Sequence, residues 1–435
     1  MNNQKLIERE IFKSIKKHLL KKEVTVIVGA RQTGKTTLLN QLADWLVKSG
    51  KAKQAQIKFF NLDLITDLEG IKDQGNFVKF LKEETVKEKF LFVFIDEIQR
   101  LESPGRFLKG IYDLNMPVKF VITGSSSLEI KSKIFESLTG RKRIFQLWPF
   151  SFFESLSWQD RGLLDIVSKK DLSTINQKKI QDFFYDFVIF GGYPRVVSAE
   201  SKDEKIKILN EIYSSYIEKD IVGFMNIKNP FTFSKLAALL GDQIGNLLNL
   251  KEISNTLAIN FRTTENYLSA LENTFVINLA RPYFTNSRKE LTKMPKVYFI
   301  DNGLRNLSVK YFADFLNNRD KGKLLENFVL SSLLKEWNGT INYWRTKDKN
   351  EVDFVLKDYY GHTIPLEVKA AEMRKAEAGK GLKSFIERYK PQKALVVNLS
   401  LEEDIKIKNT IVQYVLPYKI ESVFKDISRR INDKL

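Results

Sequence analysis

One stretch of the sequence decides the fold class: Gly29-Ala30-Arg31-Gln32-Thr33-Gly34-Lys35-Thr36, which reads G-x-x-x-x-G-K-T. The apolar, β-branched segment 24–28 precedes it, and residues 37–46 follow with apolar side chains at helical spacing. A strand, a glycine loop and a helix in this order are typical of a phosphate-binding loop. The glycines let backbone N–H groups approach phosphates, and the helix directs its positive end toward them. The stretch therefore predicts an α/β fold that binds a phosphate-bearing ligand.

The side chains of this loop have predicted roles. Lys35 would reach the β- and γ-phosphates of a nucleotide, and Thr36 would offer its hydroxyl to Mg²⁺. A glycine-containing turn with a chance lysine is the alternative, and the flanking strand and helix argue against it. We expect the nucleotide to contact the loop and the residue after it, at Gly29, Ala30, Arg31, Gln32, Thr33, Gly34, Lys35, Thr36 and Thr37.

A second motif is the apolar run 90–95 that ends in Asp96-Glu97. It predicts a parallel strand buried on both faces, so its two carboxylates emerge at the carboxyl edge of the sheet, where ligands bind. Asp96 would hold Mg²⁺, and Glu97 would polarise the attacking water, which indicates a hydrolase rather than a kinase. The simpler alternative is a buried strand that ends in solvated acids.

Two further strands, 56–63 and 118–127, fit the same parallel sheet with right-handed crossovers. The second ends in a hydroxyl cluster, from which Thr123 or Ser125 could sense the γ-phosphate. A helix N-cap is the alternative role for the serines. The combined pattern resembles an AAA-type ATPase of the AAA+ superfamily, with Walker A at 29–36, Walker B at 92–97 and sensor 1 near Ser125.

The resemblance is sharpened by the segments 136–143 (ESLTGRKR) and 147–154 (LWPFSFFE), which are similar to a stretch of a widespread prokaryotic ATPase family. It implies ATP and Mg²⁺ as cofactors and an oligomer such as a hexameric ring. Arg141 would be inserted into a neighbouring subunit's site as an arginine finger, with Arg143 as the second candidate. A finger supplied in trans would stabilise transition-state charge. The alternative is a basic surface loop.

Composition limits the classes of function. The 435 residues predict about two to four domains. The sequence has no cysteine and two histidines, which excludes disulfides, thiolate zinc sites and cysteine nucleophiles. No apolar run is long enough to span a membrane, and the polar start of the sequence lacks a signal-peptide core, so we expect a cytoplasmic protein. The net charge of +18 favours a polyanionic partner such as DNA, although charges scattered over solvated faces would give the same sum.

Residues 151–228 predict a helical lid. They contain Phe190-Gly191-Gly192-Tyr193-Pro194-Arg195, which is similar to the G-G-Y-P signature of the same prokaryotic family. The resemblance implies that Tyr193 and Pro194 lie near the adenine base. A plain turn is the alternative.

Residues 229–310 predict a winged helix, because helices at 234–248, 251–259 and 263–273 precede a strand-rich stretch at 275–300. Thr263 and Asn266 would form the capping box of the third helix. That helix carries no arginine and two glutamates, which argues for nonspecific or structure-specific DNA contact rather than base reading. A basic wing suits phosphate contact, and a protein-packing module is the alternative. The basic residues of the wing are Arg288, Lys289, Lys293 and Lys296.

Residues 311–435 carry a second constellation. A helix at 323–330 holds one acid, Glu326, and a hairpin is followed by the strand 363–369. Because side chains alternate between the two faces of a strand, Glu367 and Lys369 lie on one face of that strand, beside Asp353 on the neighbouring strand. Two carboxylates and a lysine can bind a divalent cation and position a water for phosphodiester attack.

This constellation resembles the PD-(D/E)XK nuclease core. The resemblance implies catalysis by Asp353, Glu367 and Lys369, with the two carboxylates as metal ligands. The fold often serves only as a binding module, and ordinary alternation with exposed charges is the third alternative.

The sequence thus predicts an α/β P-loop NTPase sheet with a helical lid, a winged helix and a small α/β nuclease-like domain, at 1–150, 151–228, 229–310 and 311–435. The predicted function is a Mg²⁺-dependent ATP hydrolase that acts as an oligomeric DNA-binding motor or switch. Branch migration or helicase-like work in DNA repair or recombination would suit it. The alternatives are an ATP-regulated nuclease and a signalling ATPase that switches protein partners without nucleic acid.

Overall fold

The computed structural model describes residues 7–125, 137–169, 171–215, 230–284 and 294–432. Contacts within the chain divide it into two compact units. The N-terminal unit comprises residues 1–149, 219–226 and 273–275, and the C-terminal unit comprises residues 150–218, 227–272 and 276–435. Among the helices that the structure describes, none combines the length and the apolar character needed to cross a membrane.

The N-terminal unit is built on a five-stranded parallel sheet. The sequence predicts the parallel sheet and four of its strands, but not the fifth, at residues 142–147. Its strands are β1 Val24–Gly29, β2 Ile57–Asn61, β3 Leu91–Asp96, β4 Val118–Ser125 and β5 Lys142–Leu147, in the order β2-β3-β4-β1-β5. Its helices are α1 Phe12–Leu19, α2 Lys35–Lys48, α3 Ile65–Ile71, α4 Gln74–Glu88 and α5 Pro104–Asp113, with short 3₁₀ turns at Gln54–Gln56 and Ile98–Arg100.

Burial explains why these segments form this sheet. Every residue of β1 and of β3 is buried, as expected for parallel strands covered on both faces. Helix α2 covers the sheet with a fully buried stripe of leucines at helical spacing. The stripe consists of Leu38, Leu39, Leu42 and Leu46. Because the strands are parallel, the carboxyl ends of β1, β3 and β4 meet at one edge of the sheet.

The C-terminal unit contains an eight-stranded mixed sheet in the order β12-β13-β11-β10-β9-β8-β6-β7. Its strands are β6 Ile277–Pro282, β7 Lys296–Phe299, β8 Thr340–Arg345, β9 Glu351–Lys357, β10 Thr363–Val368, β11 Lys393–Val397, β12 Glu403–Ile407 and β13 Thr410–Val415. The helices are α6 Phe152–Gln159, α7 Arg161–Ile166, α8 Thr174–Phe190, α9 Pro194–Ser198, α10 Lys202–Ser215, α11 Pro230–Asp242, α12 Leu250–Leu257, α13 Phe261–Asn273, α14 Asn302–Ser308, α15 Lys321–Glu336, α16 Lys380–Tyr389 and α17 Ile420–Asn432, with 3₁₀ turns at Phe315–Asn317 and Pro417–Lys419.

The sheet is continuous across one of the predicted domain boundaries. Strand β6 pairs antiparallel with β7 and also pairs parallel with β8, where Arg281 lies opposite Asn342. The strands of the predicted winged helix therefore belong to the same sheet as the strands of the predicted nuclease-like domain. The four-part division of the chain and the winged-helix assignment stay predictions.

Two details of the predicted helices are wrong. Helix α11 ends at Asp242 rather than at residue 248, because Gly245 adopts a left-handed conformation (φ 73°) that a helix does not continue through. The capping box at Thr263 does not form, since α13 begins earlier, at Phe261. Its first turn is capped by Asn260, whose Oδ1 accepts a hydrogen bond of 2.7 Å from the Thr263 N–H.

Candidate nucleotide site

The glycine loop joins the end of β1 to the start of α2, and its two glycines are required for different reasons. Gly34 and Gln32 both have left-handed backbones, with φ angles of 92° and 58°. At Gly34 this conformation favours glycine. At Gly29 there is no room for a side chain, because an added Cβ would lie 2.2 Å from the carbonyl oxygen of Leu147 on β5.

The ammonium of Lys35 lies inside the loop. Only 5% of this residue is exposed, and its Nζ donates to the carbonyl oxygens of Ala30 at 2.9 Å and Gly29 at 3.2 Å. The hydroxyl of Thr33 donates to the same Ala30 oxygen at 2.9 Å. The loop therefore holds its one buried cation beside backbone N–H groups at a helix N-terminus, which is a favourable place for phosphate.

The predicted magnesium ligands lie side by side. Asp96 at the end of β3 is 1% exposed, and its Oδ2 accepts a hydrogen bond of 2.5 Å from the Thr36 hydroxyl. Its Oδ1 accepts a second bond from the Thr123 hydroxyl on β4. Mg²⁺ is commonly held by one or two protein oxygens, with phosphate oxygens and waters completing the octahedron. The hydroxyl and carboxylate pair fits that ion, and Thr36 and Asp96 would hold it.

Glu97 has an unusual backbone. Its φ of 56° and ψ of 48° place a non-glycine residue in the left-handed region, which costs about 1–3 kcal/mol and is found where function demands it. The Thr123 hydroxyl accepts a hydrogen bond of 3.1 Å from its N–H, and the Gln99 amide donates to its carboxylate. The carboxylate is thus oriented by its neighbours at the edge of the sheet beside the glycine loop.

The hydroxyl that the structure brings to this edge is that of Thr123, one of the two predicted sensors. Ser125 is the last residue of β4, and its backbone pairs with Gly29. The side chain of Ser125 lies outside the described part of the chain, so its role as a sensor stays a prediction.

Arg9 is a site residue that sequence reasoning missed. The residue is 7% exposed, and its guanidinium donates to the carbonyl oxygens of Thr33 at 2.9 Å and Trp148 at 2.7 Å. It therefore holds the glycine loop against the end of β5. No local pattern could have found it, because its partners are 24 and 139 residues away in the sequence.

The arginine-finger candidates lie away from the loop of their own unit. Lys142 pairs with Val24, the first residue of β1, so Arg141 lies at the edge of the sheet opposite the glycine loop. Arg141 forms an ion pair with Asp113, Nε to Oδ1 at 2.8 Å. Arg143 is exposed and lies 5.7 Å from the ring centre of Phe145. A role in trans stays a prediction for both.

The G-G-Y-P segment has a structural explanation within the C-terminal unit. The N–H of Gly192 donates to Asp301 Oδ2 at 2.7 Å, and an added Cβ at Gly191 (φ 79°) would lie 2.1 Å from Asp301 Oδ1. Asp301 also caps α14, and its burial raises the pKa of its carboxyl. Tyr193 is fully buried. The predicted contact of Tyr193 and Pro194 with adenine is therefore not needed to explain the glycines, and it stays a prediction.

The second constellation is assembled in the C-terminal unit. Lys369 Nζ lies 2.7 Å from Glu367 Oε1, and the Glu367 carboxylate also accepts a hydrogen bond of 3.2 Å from the Gly379 N–H. Asp353 Oδ2 accepts a bond of 2.7 Å from the Val368 N–H. The predicted proximity of Glu367 and Lys369 is therefore present, and their catalytic role stays a prediction.

Lys296 contradicts its predicted role in a basic wing. It is 2% exposed, and its ammonium lies 2.5 Å from Glu351 Oε1 and 3.3 Å from Glu326 Oε1. Burial opposes the charge, but Glu326, Asp353 and Glu351 outweigh it and raise the pKa of Lys296 above its usual range. A buried, paired ammonium cannot contact DNA phosphates. The other predicted wing residues, Arg288, Lys289 and Lys293, lie outside the described residues.

Burial also acts on Asp353. It is the main reason that the pKa of the Asp353 carboxyl is raised, and the neighbouring charge of Glu326 adds to it, while Lys296 and the Val368 N–H act in the opposite direction. Within the described residues, and with Lys296 in place, no group of three or more acidic or histidine side chains is arranged to hold a metal ion. The arrangement does not fit the divalent cation that the nuclease resemblance implies at Asp353 and Glu367.

Family comparisons agree with the N-terminal sheet. Residues 21–156 match the model of a family described as an AAA domain. Residues 181–314 and 321–420 match two models that are each described only as a domain of unknown function. The first match and the parallel sheet together support an AAA-type ATPase domain in the N-terminal part of the chain.

The chain is similar to proteins whose function is not described. An uncharacterized protein of Haemophilus influenzae is 29% identical over 345 residues, covering 77% of this chain and 79% of that protein. An uncharacterized protein of Methanocaldococcus jannaschii is 27% identical over 406 residues, covering 91% and 85%.

Solved structures give weaker likenesses. The Walker-type ATPase PABY2304 of Pyrococcus abyssi has a TM-score of 0.46 at 14% identity and covers 70% of this chain and 96% of that one. The Aeropyrum pernix Orc1 protein in complex with DNA has a TM-score of 0.30 at 13% identity, covering 70% and 93%.

Proposed function

We propose that the N-terminal unit binds Mg²⁺-ATP and hydrolyses it. The observation that carries this proposal is the carboxyl edge of the parallel sheet, where the glycine loop after β1, the Thr36–Asp96 pair and the oriented Glu97 carboxylate after β3 come together, with β4 between the two strands. Parallel α/β sheets bind their ligands at this edge. Lys35 supplies a cation that can contact phosphate, Thr36 and Asp96 supply two oxygens that can bind Mg²⁺, and Glu97 supplies a carboxylate that can accept a proton from water.

Each residue has a distinct task in this proposal. On nucleotide binding, Lys35 exchanges the loop carbonyls for the β- and γ-phosphates, and the N–H groups at the start of α2 contact the phosphate oxygens. Thr36 and Asp96 would hold Mg²⁺, which would neutralise charge that develops on the phosphates. Glu97 accepts the proton of the attacking water, and the hydrogen bonds from Gln99 and to Thr123 orient the residue for this step.

Substitution of Glu97 by Gln tests the assignment. We expect Glu97→Gln to keep the affinity for ATP and to lower turnover by about 10²–10⁴-fold, the usual contribution of a general base. Lys35→Ala should lower both. Glu102→Gln is the matched control, since this glutamate is exposed in the same unit. Turnover in Glu97→Gln that equals that of Glu102→Gln would refute the proposed site.

We further propose that the protein is a cytoplasmic oligomer that acts on DNA, with Arg141 of one copy completing the site of the next. The net charge of +18 supports a polyanionic partner. ATPase rates with and without DNA, at low and high salt, test this proposal. Stimulation that fades with salt is expected, since phosphate contacts release counterions. A rate indifferent to DNA would favour an ATPase that switches protein partners.

A test of the oligomer uses mixed subunits. Arg141→Ala alone should lower turnover without changing nucleotide affinity, because the finger acts on the transition state of the neighbouring site. Adding Glu97→Gln protein to Arg141→Ala protein should restore activity in mixed assemblies, where an intact Arg141 meets an intact Glu97. No recovery in mixtures, with assembly verified by light scattering, would refute a finger in trans.

A further inference from the structure

Three carboxylates of the C-terminal unit surround one buried ammonium, that of Lys296. One carboxylate comes from helix α15 and two come from strand β9, and Lys296 itself is the first residue of β7. The ammonium forms ion pairs with two of the three and interacts electrostatically with the third. We call these carboxylates the acidic cluster: Glu326, Glu351 and Asp353.

Each carboxylate of the acidic cluster has at least one oxygen that already contacts a cation or a hydrogen-bond donor. Glu326 Oε1 receives the Lys296 ammonium at 3.3 Å and a hydrogen bond of 2.5 Å from the Tyr298 hydroxyl. Tyr298 is fully buried, and burial together with the Glu326 charge raises the pKa of its hydroxyl well above the usual range, so it stays a donor. A divalent ion needs several oxygens at about 2.0–2.6 Å, so an ion that used Glu326 Oε1 and Glu351 Oε1 would have to displace the ammonium.

The neighbouring residues of the predicted nuclease site are engaged in the same way. Asp353 Oδ2 is held by the Val368 N–H, and Glu367 is held by Lys369 and the Gly379 N–H. An added Cβ at Gly379 would lie 2.3 Å from Glu367 Oε1, which shows how closely the backbone approaches this carboxylate. The protein's own ammonium groups and backbone N–H groups therefore already contact the carboxylates of both sets.

We infer that the acidic cluster is a cation site that the protein fills with its own Lys296 ammonium. The C-terminal unit consequently binds no divalent ion at this site and does not cleave phosphodiester bonds. The ion pairs of Lys296 with the acidic cluster instead connect β7 to helix α15 and strand β9, and they stabilise the hairpin of the predicted winged helix on the mixed sheet. This inference does not depend on the proposed ATPase activity.

Mn²⁺ binding to the full-length protein tests the inference. Asp96→Asn is introduced throughout to remove the N-terminal magnesium ligand, and Mn²⁺ binding is measured without nucleotide by electron paramagnetic resonance. With Lys296 intact we expect no site that depends on Asp353. Lys296→Met removes the ammonium at similar length, and it should gain about one Mn²⁺ per chain. The added substitution Asp353→Asn should abolish that site.

Lys383→Met is the matched control, because Lys383 is exposed on α16 of the same unit, and it should gain no Mn²⁺. A Lys296→Met protein that folds, as judged by circular dichroism, and gains no site would overturn the inference. If this variant does not fold, the measurements on the protein with Lys296 intact test the inference by themselves. An Mn²⁺ site lost on Asp353→Asn would then overturn the inference, as would Mn²⁺-dependent cleavage of duplex, single-stranded or branched DNA lost on Lys369→Ala. The absence of both would support it.

Discussion

Replacing Arg9 by Ala should loosen the glycine loop without replacing any residue that is expected to contact nucleotide. The guanidinium of Arg9 holds the carbonyl oxygens of Thr33 and Trp148, and it is almost fully buried. Thr33 precedes the left-handed Gly34, so the bond from Arg9 fixes the loop at the residue before its sharpest turn. In the variant both carbonyl oxygens lose a charged donor.

The size of the effect follows from these two hydrogen bonds. A hydrogen bond to a charged group contributes about 1.5–3 kcal/mol, so their loss destabilises the N-terminal unit by about 3–6 kcal/mol in the limit of no relaxation. One of the two hydrogen bonds goes to Thr33, so about half of this free energy orders the glycine loop. An ordering cost of about 1.5–3 kcal/mol, transferred to nucleotide binding, weakens the affinity for ATP by about 10- to 150-fold.

Fluorescence titration with a labelled ATP analogue measures this affinity, and thermal unfolding with and without nucleotide measures the stability. Arg106→Ala is the control, because Arg106 is an exposed arginine of α5 in the same unit. Its affinity should stay within about twofold of the unsubstituted protein, as is usual for surface substitutions. An Arg9→Ala protein that is folded and binds ATP as tightly as Arg106→Ala would refute the reasoning.

Three further predictions concern stability. Burial lowers the pKa of Lys119 from 10.5 to about 7, so between these pH values the unfolded chain binds more protons than the folded chain and the free energy of unfolding rises with pH. Lys119→Met should flatten this rise, which urea unfolding at stepped pH measures. Asp301→Ala should cost about 2 kcal/mol by leaving the Gly192 N–H without its acceptor, as measured by urea unfolding; an unchanged midpoint would contradict it. Gly29→Ala should cost about 1–3 kcal/mol and weaken ATP binding, because its Cβ meets the Leu147 carbonyl, and calorimetry together with ATP titration measures both effects.

The parallel sheet could be predicted because its signals are local. The buried strand before Gly29, the glycine loop and the following helix are adjacent in the sequence, and the run that ends in Asp96 carries its own signal of burial. Carboxyl ends of parallel strands must meet at one edge, so the proximity of Thr36 and Asp96 followed from topology alone. The same reasoning brought Glu367 and Lys369 together, since period two along one strand is also local.

What sequence reasoning missed depends on distant contacts. Arg9 contacts Trp148 across 139 residues, and a buried arginine has the same sequence signature as an exposed one. Lys296 was assigned to a basic wing because neighbouring positions are basic, whereas the fold places it against Glu326 and Glu351. The pairing of β6 with β8 and the hydrogen bonds between Asn327 and Phe299, which no local pattern indicates, bring β7 close enough for this contact.

The two acidic sites of this chain show why a motif alone does not define chemistry. Asp96 accepts hydrogen bonds from two hydroxyls, and hydroxyls carry no charge, so its negative charge remains available to a divalent cation. In the acidic cluster a buried lysine supplies the cation, and removing that lysine would leave half-buried carboxylates without their ion pair, at a cost of up to about 3–5 kcal/mol. The first site gains from binding Mg²⁺ with nucleotide, whereas the second would have to lose a stabilising ion pair before it could bind any metal. The same residue types therefore support a reactive edge in one unit and a structural clamp in the other.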